Sequence, residues 1–212
     1  MSKKINIISP FGPKLAKIKL SKKVVNDINQ EVERIILNEK KSKKKDYSKK
    51  LVGEVYQEIE LSKNFINKKL KKFIHEKVKN YLKNTINKST NKINIKNFWV
   101  VRQFKNEYNP IHWHSGHISG AGFLKVPKTL GSHLQDKGAK KYSGGNLNLI
   151  HGSNMFLSRS MYEVKPEVGD FYFFPHYVMH TVYPFKGTEE ERRSISFNAT
   201  IDERIYDVYG KY

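Results

Sequence analysis

The chain has 212 residues, no cysteine, and 40 Lys+Arg against 20 Asp+Glu, a formal charge of +20. Its 38% apolar content is enough for one core, while the lack of cysteine excludes a disulfide scaffold, a thiolate zinc finger, an iron–sulfur centre and a cysteine nucleophile. No stretch approaches the ~18 apolar residues of a membrane span, and the basic start has no apolar run behind it, so a cytoplasmic protein without a signal peptide is expected.

Segment 5–19 mixes short apolar runs with Pro10, Gly12 and Pro13 and reads as an edge strand with its turn. Ser21 caps a helix in which Val25, Ile28, Val32, Ile35 and Ile36 recur at helical spacing to about Leu37. The run EKKSKKKDYSKK (39–50) has almost no apolar content and reads as a mobile loop. A second helix is expected over 62–85, opened by Ser62, with Phe65, Ile66, Leu70, Phe73, Ile74, Val78 and Leu82 along one side. Residues 1–100 hold 26 Lys/Arg and 9 Asp/Glu, a net of +17, whereas 101–212 hold 14 and 11, a net of +3. The surplus could engage a polyanion such as nucleic acid. It is nearly all lysine, however; Arg34 is the one arginine in the first hundred residues, and arginine is the usual bidentate reader of phosphate and guanine. A solvated basic face is the simpler reading.

After Ile95 the apolar period falls to about two. Strands are expected at 97–104, 110–114, 118–126, 145–150, 161–165, 169–174, 178–183 and 192–201, separated by Gly, Pro, Asn or charged clusters. Eight short strands at this spacing suggest a β-sandwich or jelly roll over 96–212. Residues 1–95 then form a helical annex on one outer face of the same domain. A homodimer is the commonest arrangement if the chain oligomerises.

Five of the eight histidines fall in two windows, NPIHWHSGH (109–117) and FPHYVMH (174–180). His112 and His114, two apart on a strand, send both imidazoles from one face. A jelly roll would fold His180 back over them. Two ligands from one strand and one from a distant strand make a facial triad with open coordination positions, so His112, His114 and His180 are the candidate metal ligands. Asp170, at a Gly-Asp turn, is expected to bond turn amides and not to supply a carboxylate ligand. In RRSISFN (192–198), Arg192, Ser194, Ser196 and Asn198 share one face and Arg193, Ile195 and Phe197 the other. An inward Arg192 beside hydroxyls suits bidentate binding of a small acid's carboxylate. Arg193 takes that role if the register slips by one.

Taken together, His112-x-His114, SGAGFLKVP (119–127), GGNLNL (144–149), GDFYFFPHYVMHTVYPF (169–185) and RRSISFN resemble the bacterial and phage branch of the iron(II)/2-oxoglutarate dioxygenases over about 99–200. LVGEVYQEIEL (51–61) resembles, more loosely, the leader before that core. The resemblance implies a double-stranded β-helix, Fe(II) as cofactor, 2-oxoglutarate as cosubstrate, and hydroxylation of a substrate with release of succinate and CO2. It implies that His180 is the distal iron ligand and that Arg192, helped by Ser194, binds the far carboxylate of 2-oxoglutarate, with no catalytic group beyond the metal ligands. Most of that superfamily has H-x-D or H-x-E where His112 and His114 stand. Either three histidines ligate, or one of the pair does and another group or water completes the sphere. Phe123 stands where a tyrosine hydroxyl often assists the cosubstrate. His117 and His176 read as groups behind the ligands or at the surface. Phe104, Tyr108, Trp113, Tyr172 and Phe174 are candidates for pocket wall or core. The alternatives are a three-His dioxygenase without 2-oxoglutarate, or a non-catalytic jelly roll whose site His117 or His176 closes. The pattern leaves open whether the substrate is a small molecule, protein or nucleic acid.

Overall fold

In the computed structural model, residues 12–207 are described. Two antiparallel sheets face each other. The major sheet has the order β1-β8-β5-β10-β3-β2 and the minor sheet β4-β9-β6-β7. The major sheet comprises β1 (Ala16–Lys19), β2 (Gln57–Glu60), β3 (Ile93–Gln103), β5 (Ile118–Lys125), β8 (Asp170–Pro175) and β10 (Arg192–Ile201). The minor sheet comprises β4 (Asn109–His112), β6 (Leu147–Ile150), β7 (Met161–Val164) and β9 (Met179–Val182). This is the jelly-roll form of a double-stranded β-helix. Both edge strands of the major sheet, β1 and β2, come from the first 95 residues.

Strand alternation divides the apolar residues into two cores. On the outer face of the major sheet, Phe98, Val100, Phe171, Phe173, Ile195 and Phe197 meet the helices. Between the sheets, Ala121, Phe123, Tyr172 and Phe174 meet Leu147, Leu149, Val164 and Val182. Tyr172 and Phe174 are therefore core, as one of their two sequence readings had it. Gly120 and Gly122 on β5 make the outer aromatic layer possible. A Cβ at Gly120 would lie 2.3 Å from the Phe197 ring, and one at Gly122 2.4 Å from that of Phe171.

Helix α1 (Lys22–Ile36) starts at Ser21, whose Oγ accepts from Val24 N at 3.3 Å, and buries Val25, Ile28, Val32 and Ile35. Each such side chain contributes about 1.5–3 kcal/mol. The 62–85 helix is interrupted: α3 (Lys63–Phe65) passes through a π turn (Ile66–Leu70) into α4 (Lys71–Ile86). The reading of 39–50 as a mobile loop is corrected. Residues Glu39–Lys45 form a helix, α2, and Ser48–Lys50 a 3₁₀ turn. Asn38 Oδ1 accepts from Lys41 N at 3.0 Å, Glu39 pairs with Lys43 at 2.6 Å, and Lys43, Lys44 and Lys45 lie at the negative end of the helix dipole. Gln57 Nε2, donating to Ser42 Oγ at 2.7 Å, ties α2 to β2. The 51–61 segment also contains a strand, β2, that the sequence reading did not separate from its surroundings. Of the 5–19 edge strand, 16–19 pairs with β8 at the sheet edge, and 5–11 lies outside the described residues.

Candidate metal centre and its cavity

His112 ends β4 and faces His180 directly across the β4–β9 ladder. His114 lies two residues past the strand, its N–H donating to the His176 carbonyl at 3.1 Å. The possible ligand atoms of the three histidines all lie within 4.8 Å of one another, and the ring centroids are 4.2–5.3 Å apart. Two of the tautomers follow from their partners. Nδ1 of His112 sits 2.7 Å from the Pro110 carbonyl and Nδ1 of His180 3.1 Å from that of Val178. A carbonyl only accepts, so Nδ1 carries the hydrogen in each and the bare Nε2 lone pair is free to ligate. Nδ1 of His114 is buried with no hydrogen-bond partner among the described residues. Burial pushes His114 down to about 2 and His180 to about 3, with the neighbouring imidazoles adding to the shift, and it lowers His112 as well. Three neutral, converging imidazoles, one with an orphaned nitrogen, fit a divalent metal ion.

Around them is a cavity of about 300 Å³. Its floor is the inner face of the major sheet, where the register sets one row straight across four strands: Phe123, Ser194, Val101 and Glu58. Arg192 is 1% exposed, with Nε donating to the Gly145 carbonyl at 2.9 Å and Nη1 to Gln103 Oε1 at 3.1 Å; its guanidinium carbon lies 5.2 Å from the Phe123 ring centroid. Among the described residues no carboxylate pairs with it, and burial alone pushes it down to about 10. Arg193 faces the other way and is held by Glu191 at 2.7 Å and Glu33 at 3.0 Å. Of the two arginines, Arg192 is the one that lines the cavity. Ser194, Ser196 and Asn198 line the cavity beside it. Phe123 lines it too, with a ring in place of a hydroxyl.

The remaining sequence candidates fall elsewhere. Asp170 is drawn to Lys17 at 2.7 Å and Lys19 at 2.8 Å on β1; the expectation that it bonds turn amides is corrected, and it is not in the metal-binding group. His117 stacks on Tyr206 at 3.8 Å and accepts from Ile201 N at 3.0 Å. His176 donates through Nδ1 to the His114 carbonyl at 3.0 Å and bonds the Tyr206 hydroxyl through Nε2 at 2.8 Å, steadying the backbone behind a candidate ligand. Neither closes the metal site. Trp113 lines the mouth and is exposed, whereas Phe104 packs on Tyr56. Sequence reasoning missed the far wall, formed by Tyr47, Lys50, Leu51, Val52, Gly53 and Glu58. It also missed Gln103 as a support for Arg192. Alternation within β2 was a usable signal for Glu58, because buried Ile59 points to the outer core and its neighbour must point inward.

A β-sandwich with histidines at one mouth and a buried arginine across the floor defines a class, the double-stranded β-helix oxygenases. Residues 97–198 match the family described as "Putative 2OG-Fe(II) oxygenase". That stretch is just under half of the chain, and together with the three-His group it fits iron(II) as cofactor and 2-oxoglutarate as cosubstrate. Among solved structures it is similar to the collagen prolyl hydroxylase of Paramecium Bursaria Chlorella virus-1 in complex with 2OG. Identity is 16%, coverage 87% of this chain and 94% of that one, and the TM-score 0.52. It is also similar to a Trichoplax adhaerens prolyl hydroxylase bound to a hypoxia inducible factor peptide fragment (13% identity, 93% and 87% coverage, TM-score 0.54). A third is the α-ketoglutarate-dependent epimerase SnoN of nogalamycin biosynthesis (11% identity, 93% and 86% coverage, TM-score 0.55). At these identities the structures share the fold. None of the curated protein sequences matches this chain. Among the described residues no helix is long and apolar enough to cross a membrane.

Proposed function

We propose that the chain hydroxylates its substrate at an iron(II) held by His112, His114 and His180, with 2-oxoglutarate anchored by Arg192 and Ser194. The observation carrying this reading is Arg192: a fully buried guanidinium with no carboxylate partner among the described residues, on the floor of the cavity that the histidines enclose. A buried cation left unpaired costs several kcal/mol, and a dicarboxylate cosubstrate removes that cost. When bound, iron(II) and 2-oxoglutarate supply oxidative decarboxylation to succinate and CO2, coupled to oxygen insertion at a C–H bond. The chain's own residues do the rest. Gly145 and Gln103 hold the Arg192 fork so that Nη2 remains for the far carboxylate. The Pro110 and Val178 carbonyls keep His112 and His180 in the ligating tautomer. Phe123 on the floor and Leu147 and Val182 on the facing minor sheet give the cavity apolar walls and limit water at the reacting centre.

The test needs no substrate. Iron(II) is added to metal-stripped protein without oxygen, followed by 2-oxoglutarate, and the visible spectrum is recorded. A charge-transfer band that requires 2-oxoglutarate and is lost in His180→Ala and Arg192→Ala is the expected result. Iron binding without such a band would instead favour a three-His dioxygenase that makes no use of the keto acid.

A further inference from the structure

The cavity has a second uncompensated group. Glu58 is 2% exposed and lines the cavity, and its Oε2 is buried without a hydrogen-bond partner among the described residues. Its backbone is fully used: N donates to Ser48 Oγ at 3.0 Å, and the carbonyl accepts from Tyr47 N at 2.7 Å. Among the described residues the side chain forms no ion pair; Lys50, on the same wall, lies over the Tyr47 ring at 4.9 Å. The charged group that acts on Glu58 is Asp46, of like sign, and with burial this pushes the carboxyl up to about 7. Buried polar side chains are almost always satisfied, so an orphan on a cavity wall needs a partner from outside the chain. Its position is equally specific. Glu58 opposes Val101, which opposes Ser194, so the carboxyl stands two strand spacings, roughly 10 Å, across the floor from the Arg192 end. Gly53 leaves the room: a Cβ there would lie 3.1 Å from Glu58 Oε1 and 2.8 Å from Asn109 Oδ1.

Resting on the reading above, in which Arg192 takes the cosubstrate, we propose that Glu58 selects the molecule to be hydroxylated by accepting hydrogen bonds from a cationic nitrogen, an ammonium or guanidinium, in the open half of the cavity. The two ends of one floor are then complementary to two different ligands, an anion at Arg192 and a cation at Glu58. A cation at Glu58 also offsets the repulsion from Asp46. An anionic group placed beside Glu58 is disfavoured by the same two carboxyls.

The proposal is tested by calorimetry on protein loaded with manganese(II) and 2-oxoglutarate without oxygen. The probes are agmatine and n-butylammonium, against n-butanol as the neutral control. Both cations are expected to bind wild-type protein and n-butanol not. Glu58→Gln should weaken agmatine at least tenfold, Glu58→Asp by less, and both should leave 2-oxoglutarate affinity unchanged. Equal agmatine affinity in Glu58→Gln, or no cation binding by wild-type protein that binds 2-oxoglutarate, overturns the proposal. Failure of wild-type protein to bind 2-oxoglutarate would instead overturn the Arg192 reading and this inference with it. A thermal melt confirms that each variant is folded.

Discussion

Individual side chains in this cavity are held in states that water would not favour, and each has a measurable consequence. His114 and His180 are kept neutral far below the ordinary histidine range. Their folded values are depressed, so the stability they contribute is present above about 6.5 and is lost as pH falls toward about 3, while the unfolded chain takes up protons that the folded chain refuses. For the metal-free protein, two such groups give a slope of roughly 3 kcal/mol per pH unit between about pH 5.5 and 3.5. Urea midpoints across that range should fall steeply, and less steeply in His180→Ala. Glu58 acts in the opposite sense. Its folded value is raised to about 7 from an ordinary 4.5, so stability is lost as pH rises between those two values, by roughly 3 kcal/mol in all. Glu58→Gln should therefore gain about 2–3 kcal/mol on wild type between pH 5 and 8. Arg192→Lys keeps the charge but loses the fork held by Gly145 and Gln103. It should weaken 2-oxoglutarate at least 30-fold, equivalent to the roughly 2 kcal/mol of a buried charge-assisted pair.

At the scale of elements, the sequence was legible wherever one face of an element is buried in one core. The spacing from Val25 to Ile35 located α1, and the alternation in RRSISFN separated Arg192 from Arg193, because a strand between two layers must sort its residues by parity. It was illegible where an element is held by polar contacts. Helix α2 buries no side chain, so hydropathy gave no trace of it. The Asn38 cap, the Glu39–Lys43 pair and the Ser42–Gln57 bond that fix it are readable only once β2 is known to lie alongside. Because α2 leads directly into the 47–53 wall, that gap hid one side of the cavity. The glycines of β5 were visible as residues but not as a packing device. Gly120→Val should cost several kcal/mol, as its side chain must displace both Phe171 and Phe197. A lowered denaturation midpoint with an unchanged m-value would check this.

Across the whole molecule, 40 basic against 20 acidic side chains leave a surface that repels itself. Several acids are already committed: Asp170 to Lys17 and Lys19, Glu191 to Arg102 and Arg193, and Glu33 to Lys125 and Arg193. The uncompensated remainder is largely lysine in the first hundred residues, with Lys41, Lys43, Lys44, Lys49 and Lys50 all exposed. Screening should therefore help this protein. Raising salt from about 10 to 150 mM shortens the Debye length from about 30 to 8 Å, and the melting temperature is expected to rise with it. A fall would mean that the ion pairs outweigh the repulsion.

The strand order also constrains how the chain reaches its native state. β10, the final strand in sequence, sits inside the major sheet between β5 and β3, and β1 pairs with β8 some 150 residues downstream. During synthesis the early helices and β1 emerge long before β8, and β3 and β5 emerge before the strand that joins them, so the outer aromatic layer stays incomplete until residues 192–201 leave the ribosome. Folding of this topology is accordingly slow and late, dominated by non-local pairing. A nascent chain halted before Arg192 is expected to be sensitive to protease throughout, and one extended past Ile201 to become resistant in a single step.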